Sequence, residues 1–151
     1  MGAAEIRDKL EESGMDATIY ITVDTLKYLK KGGRITPAAA ALGTLLRIKP
    51  VLSIQGEKLD AFAKARTMKQ AKSMMIAAIR HDLETRWGDT DGSRVHLEIA
   101  HTQNGEAAMA LKEELALLFP GADIHVDPLS LSVACHIGPG SLAIAAAKRM
   151  E

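Results

Sequence analysis

The stretch VHLEIAHTQNGEAAMALKEELALLFPGADIHV, residues 95–126, decides the fold class. Its opening, Val95 to Ala100, alternates apolar and polar side chains, as a strand with one buried face does. Apolar positions then recur three or four apart at Ala107, Leu111, Leu115 and Leu118, which predicts a helix over Glu106 to Leu118 with that stripe turned inward. Pro120-Gly121 breaks the pattern, and Ile124 to Val126 is a second strand. Strand, helix and strand in this order make a βαβ-like unit, so helices pack on a sheet.

Working upstream, Ala71, Met75, Ala78, Ile79 and Leu83 keep the same spacing and predict a long helix from Thr67 that ends before Gly88. Trp87 to Ser93 is rich in turn formers and reads as a surface loop. Pro50 excludes helix around Lys49. Val51 to Ile54 and Lys58 to Ala63 then form a hairpin across Gln55-Gly56. Thr36-Pro37 is a helix start, leading into a nearly buried Ala38 to Leu46 helix. Asp24 is the expected N-cap of a short helix with Leu26 and Leu29 inward and Lys27, Lys30 and Lys31 near its exit, stopped by Gly32. Before it, Ala17 to Val23 is a β-branched strand, and Ala4 to Ser13 a polar helix ending at Gly14. Downstream, Leu131 to Cys135 and Leu142 to Ala147 read as apolar segments around a tight Gly138-Pro139-Gly140 turn. The sum is about six strands and four or five helices: an α/β or α+β protein with helices on a mixed sheet.

A chain of 151 residues is sized for one domain, 1–151. Its 19 basic and 19 acidic side chains cancel, so no global field draws it to nucleic acid. A single cysteine, Cys135, excludes an internal disulfide and suits a reducing cytoplasm. No stretch reaches the roughly 18 apolar residues of a membrane span, and the first residues do not form a secretion signal.

Two clusters could carry chemistry. In Lys30-Lys31-Gly32-Gly33-Arg34, cations and paired glycines suit a helix C-terminus, but they also make a loop able to receive an anion, with Arg34 offering a fork to carboxylate or phosphate. The spacing of a Walker loop is absent. His136 lies in an apolar run, as a satisfied core histidine would. The small Gly138-Pro139-Gly140 turn behind it also lets a ligand approach the backbone, and the imidazole could then donate to a carboxylate. Cys135, read on a strand, points away from His136, against a thiolate and imidazole pair. His81, His96, His101 and His125 form no metal-ligand spacing, so no metal site is expected.

Asp24-Thr25-Leu26-Lys27-Tyr28-Leu29-Lys30-Lys31-Gly32-Gly33-Arg34-Ile35 resembles the signature of the bacterial DegV family almost residue for residue. Leu45-Leu46-Arg47-Ile48-Lys49-Pro50-Val51-Leu52 is similar to that family's apolar segment ending in Ile-Lys-Pro, Lys64-Ala65-Arg66 to its Lys-x-Arg, and His136-Ile137-Gly138-Pro139-Gly140 to its His-Thr-Gly-Pro-Gly.

The resemblance implies the DegV (EDD) fold and, for this chain, the carboxy-terminal of two α/β domains that close around one long-chain fatty acid, with the amino-terminal domain absent. It implies a carrier rather than an enzyme, one that needs no cofactor and presents its fatty acid to a partner kinase making acyl phosphate for phospholipid synthesis. His136 would then bond the carboxylate, Gly138 and Gly140 would shape the backbone beside it, and Arg34 and Arg66 would face the kinase or the transferred phosphoryl group. Ile137 replaces the family's threonine and brings no hydroxyl. Ala39, Ala40, Leu42, Leu45 and Leu46 are either tail-pocket walls or plain core. Alone, the chain is expected to bind lipid weakly or not at all and to self-associate through its uncovered apolar surface. The rival readings are a phosphoryl- or acyl-transfer domain using Arg34 and His136, and a module that docks an acidic protein on its basic Gly-Gly-Arg loop.

Overall fold

The computed structural model describes residues 1–42, 48–54 and 58–150. Among them are six strands, β1 (Ala17–Thr22), β2 (Lys49–Ile54), β3 (Leu59–Ala65), β4 (Val95–His101), β5 (Asp123–Pro128) and β6 (Leu142–Lys148). Six helices accompany them: α1 (Ala3–Ser13), α2 (Lys27–Gly32), α3 (Pro37–Leu42), α4 (Met68–Trp87), α5 (Gly105–Leu118) and α6 (Leu131–Ile137). The strands form one mixed sheet in the order β3-β2-β1-β6-β4-β5. β4 and β5 are parallel, as the connecting α5 requires, and the other pairs are antiparallel. The central strand β6 pairs with β1 from Ala17↔Ala147 to Thr22↔Leu142 and with β4 from Val95↔Lys148 to His101↔Leu142.

Each sheet face has its own core. α4 and α5 cover one, with Met75, Ile79 and Leu83 and then Leu111 and Leu115 packed on Val51, Val95, Leu97, Ile99 and Ile144. Each fully buried side chain of this size contributes about 1.5–3 kcal/mol. α2, α3 and α6 cover part of the other face, through Leu29, Ala39, Leu42 and Ile137 over Ile21, Leu52 and Ala143. α4 is also tied to β1 by a buried polar contact. The carboxylate of Asp82, 8% exposed, accepts the hydroxyls of Thr18 and Tyr20, each at 2.8 Å. α1 buries no residue.

Local signals account for most boundaries. Thr67 caps α4 by accepting the Gln70 N–H, and Gly88 ends it at φ 60°. Thr36 caps α3 by accepting the Ala39 N–H. The expected continuation of α3 to Leu46 and the Gln55-Gly56 turn lie outside the described residues.

Several expectations need correction. The described residues hold six helices rather than four or five, because Leu131–Ile137 is helical. Successive residues on a helix diverge by about 100°, so Cys135 still points away from His136, though for a different reason. Asp24 does not cap α2: Leu26 holds that position without a side-chain bond, and Asp24 instead pairs with Lys49. Gly33, not Gly32, supplies the left-handed exit, at φ 64°. On α5 the buried positions are Ala108, Leu111 and Leu115, with Ala107 and Leu118 only half-buried. The 88–94 loop is not wholly at the surface either. Buried Asp89 organises it by accepting the N–H groups of Asp91, Gly92 and Arg94.

Candidate functional site

α2 and the turn after α6 meet along three consecutive contacts. Tyr28 and Gly32 are four apart and so share one side of α2, and Asp24 stands in the segment just before it. Opposite Asp24, Tyr28 and Gly32 stand Gly140, Gly138 and His136 respectively. A Cβ placed on Gly140 would lie 3.6 Å from Asp24 Cβ, one on Gly138 only 2.4 Å from the Tyr28 ring, and one on Gly32 only 2.5 Å from His136 Nδ1. Gly138 and Gly32 therefore admit the Tyr28 and His136 rings at a distance that side chains would forbid, while the Gly140 contact is an ordinary one.

His136 is half-buried at the end of α6, its Nδ1 edge seated in the recess left by Gly32. No described residue takes a hydrogen bond from its imidazole. A half-buried, unpartnered imidazole beside a backbone free of side chains is suited to donate to a ligand oxygen.

The structure thus joins the two clusters that the sequence singled out, Gly32-Gly33 with His136 and Gly138. It separates the two arginines. The Arg34 carbonyl accepts the N–H of Leu59 at the start of β3, while Arg66 follows the strand's end and donates its N–H to Gln70 Oε1. Seven residues of strand put about 20 Å between those ends. Both arginine side chains are exposed. Arg66 shares its end of the sheet with the Lys49–Asp24 ion pair, because Ala65 is in register with Lys49.

Of the expected tail-pocket residues, Ala39 and Leu42 are buried in the second core and Ala40 packs against it. Leu45 and Leu46 lie outside the described residues. Beyond α2 and α6 the same sheet face continues as one cross-strand row, Ile54, Ile19, Ala145, Glu98 and His125. Its first three members are apolar and half-buried. At the far end, burial pushes the Glu98 carboxyl up, the nearby Asp127 charge adds to this, and His125 opposes it. His125 also bonds Asp123 at 3.2 Å and holds that carboxyl below its ordinary range.

Sequence reasoning missed Tyr28, Asp24, Thr102, Asn104 and Ser141. The four-residue spacing of Tyr28 and Gly32 on α2 was a readable sign of the first. Thr102, Asn104 and Ser141 gave none, being scattered polar residues that meet only in space.

Known proteins resemble this arrangement. The family model described as "Uncharacterised protein, DegV family" matches residues 2–149. Protein DegV of Bacillus subtilis is 29% identical over 140 residues, which are 93% of this chain and 47% of that protein. A DegV domain-containing protein of Clostridium perfringens is 36% identical over 141 residues, 93% of this chain and 46% of its own length. Among solved structures, DegV, a fatty acid binding protein from Bacillus subtilis, superposes with a TM-score of 0.80 at 28% identity over 98% of this chain and 50% of that one. A fatty-acid-binding DegV family protein from Thermus thermophilus gives a TM-score of 0.84 at 31% identity over 99% of this chain and 51% of that one. The chain spans about half the length of the curated relatives it matches.

Proposed function

The chain belongs to the DegV family, and on that premise we propose that it binds a long-chain fatty acid, as the carboxy-terminal half of a carrier that presents the acid to a kinase. The observation that carries this reading is the His136 imidazole, without a hydrogen-bond partner among the described residues and wedged on Gly32 beside the Gly138-Pro139-Gly140 turn. His136 donates to the carboxylate, while Gly138 and Gly140 keep the approach clear. The half-buried Ile54, Ile19 and Ala145 offer apolar surface nearby, and each acyl methylene buried is worth about 0.8 kcal/mol. Arg66, and at the other end of β3 Arg34, are exposed cations for a partner or a phosphoryl group. The protein works in the cytoplasm and binds rather than catalyses, feeding acyl phosphate formation for phospholipid synthesis.

The test joins this chain to the amino-terminal half of the Bacillus subtilis relative and seeks co-purifying fatty acid by mass spectrometry, with the chain alone in parallel. The joined protein should carry fatty acid and take up oleate, and His136→Ala should remove most of that binding. A folded joined protein that stays empty and ignores both oleate and palmitate overturns the proposal. Turnover abolished by His136→Ala with binding intact would favour an enzyme instead.

A further inference from the structure

The protein itself uses the N–H groups of the glycine turn. Gly138 N–H donates to Ala134 O at 2.8 Å, and Gly140 N–H donates to Thr102 O at 2.7 Å. Ser141 N–H donates to Thr102 Oγ1 at 3.1 Å. Pro139 has no N–H. Two of the carbonyls are occupied too: Thr102 Oγ1 donates to Gly138 O at 2.5 Å, and Asn104 Nδ2 to Gly140 O at 3.3 Å. Thr102 and Ser141 hydroxyls lie 2.8 Å apart. Since Thr102 gives its one proton to Gly138, Ser141 must be the donor between them. Both residues are buried, at 6% and 0% exposure.

We propose that Thr102 is a positioning residue for the ligand site: its hydroxyl locks the 138–141 turn into a form that holds no free N–H, leaving side chains, His136 with its neighbour Tyr28, as the donors this rim offers a head group. The inference rests on the fatty-acid reading above and adds to it how the head group is selected. A glycine turn commonly captures anions with a nest of N–H groups, and this one presents no such nest. A head group that side-chain donors can reach, as a carboxylate is, suits it better than one bound by a cluster of backbone N–H groups. Thr102 is set for this task by the next residue, Gln103, which adopts a left-handed φ of 49° without being glycine. That bend turns β4 into α5 and brings Thr102 and Asn104 onto the turn together.

Two measurements test the inference. In the chain itself, Ser141 amide hydrogen exchange should be slow, faster in Thr102→Val, and slow again in Thr102→Ser, which keeps the hydroxyl. In the joined protein, Thr102→Val should weaken oleate binding about tenfold, the scale of one lost hydrogen bond, with Thr102→Ser near the unaltered value. Unchanged Ser141 exchange in Thr102→Val overturns the lock, whatever the ligand does. Faster exchange with oleate affinity unchanged overturns the positioning role while leaving fatty-acid binding intact. An unaltered joined protein with slow Ser141 exchange and no affinity for oleate counts against the fatty-acid reading, and the positioning role falls with it.

Discussion

Gly32 and His136 are in such close register that a methyl group on the glycine would sit 2.5 Å from the imidazole Nδ1 and 3.3 Å from Cε1. Gly32 is the last residue of α2 and does not have positive φ, so its backbone accepts alanine. What must give way is the half-buried imidazole ring of His136.

Gly32→Ala should therefore separate stability from binding. Alanine gains up to about 1 kcal/mol of helix propensity over glycine, which offsets the cost of rotating the ring, so the melting temperature should hardly move. Oleate affinity in the joined protein should fall about tenfold or more, equivalent to one lost head-group hydrogen bond. Gly33→Ala should behave in the opposite way. No atom lies within 4 Å of its added Cβ, but its φ is 64°, so strain of about 1 kcal/mol or more lowers stability while binding persists.

Gly138→Ala meets both obstacles, a φ of 84° and the Tyr28 ring at 2.4 Å. Backbone strain of about 1–3 kcal/mol adds to an overpacking cost of similar size. Tyr28→Ala in the same molecule removes only the second. Urea denaturation should find the double variant more stable than the summed single effects, a coupling of about 1 kcal/mol or more.

Asp82 is the shared acceptor of Thr18 and Tyr20. Asp82→Ala leaves two hydroxyls without their partner and should cost about 2 kcal/mol or more in chemical denaturation.

Tyr20 links the same contact to pH. Burial raises its phenol above the ordinary 10.0, and the adjacent Asp82 adds to the rise. The folded state thus favours the protonated phenol, and its contribution is complete below 10.0 and lost as pH climbs toward the raised value. Melting curves between about pH 8 and 11 should fall less steeply for Tyr20→Phe than for the unaltered protein.

Glu98 carries a carboxyl raised by burial and by Asp127. A raised acid favours the protonated form in the folded state, so its contribution is present at low pH and lost as pH rises through the folded pKa. Glu98→Gln mimics the protonated form and should raise stability at pH 7 by up to about 1 kcal/mol, an advantage that fades on acidification. Equal melting temperatures at pH 7 would remove the charge on this face as a source of instability.

The fold was readable where a period repeats over several turns. α4 needed only Ala71, Met75, Ala78, Ile79 and Leu83 with Gly88 behind them, and the parallel β4-β5 pair followed from the apolar stripe of α5. Short elements were less legible. The α6 segment has only seven residues, and its apolar face, with Leu131 80% exposed, does not separate a helix from a strand. Adjacent Gly32 and Gly33 look alike in sequence, and only packing decides that one turns the chain while the other admits His136. The meeting of His136 with the glycine bend was legible only through family resemblance, since more than a hundred positions separate them. Nothing in the residues themselves set Thr102 and Ser141 apart from other hydroxyls, and the 20 Å of β3 between Arg34 and Arg66 becomes evident only once Leu59 is bonded to Arg34.

The Gly138-Pro139-Gly140 turn runs directly into β6, and β6 fills the slot between β1 and β4. Closing that slot joins segments from opposite ends of the chain, a slow kind of assembly step. Until it closes, both hydrophobic layers stay open. The two cores, though they lie on opposite faces of the sheet, are therefore completed in one event, and neither layer can mature ahead of the other.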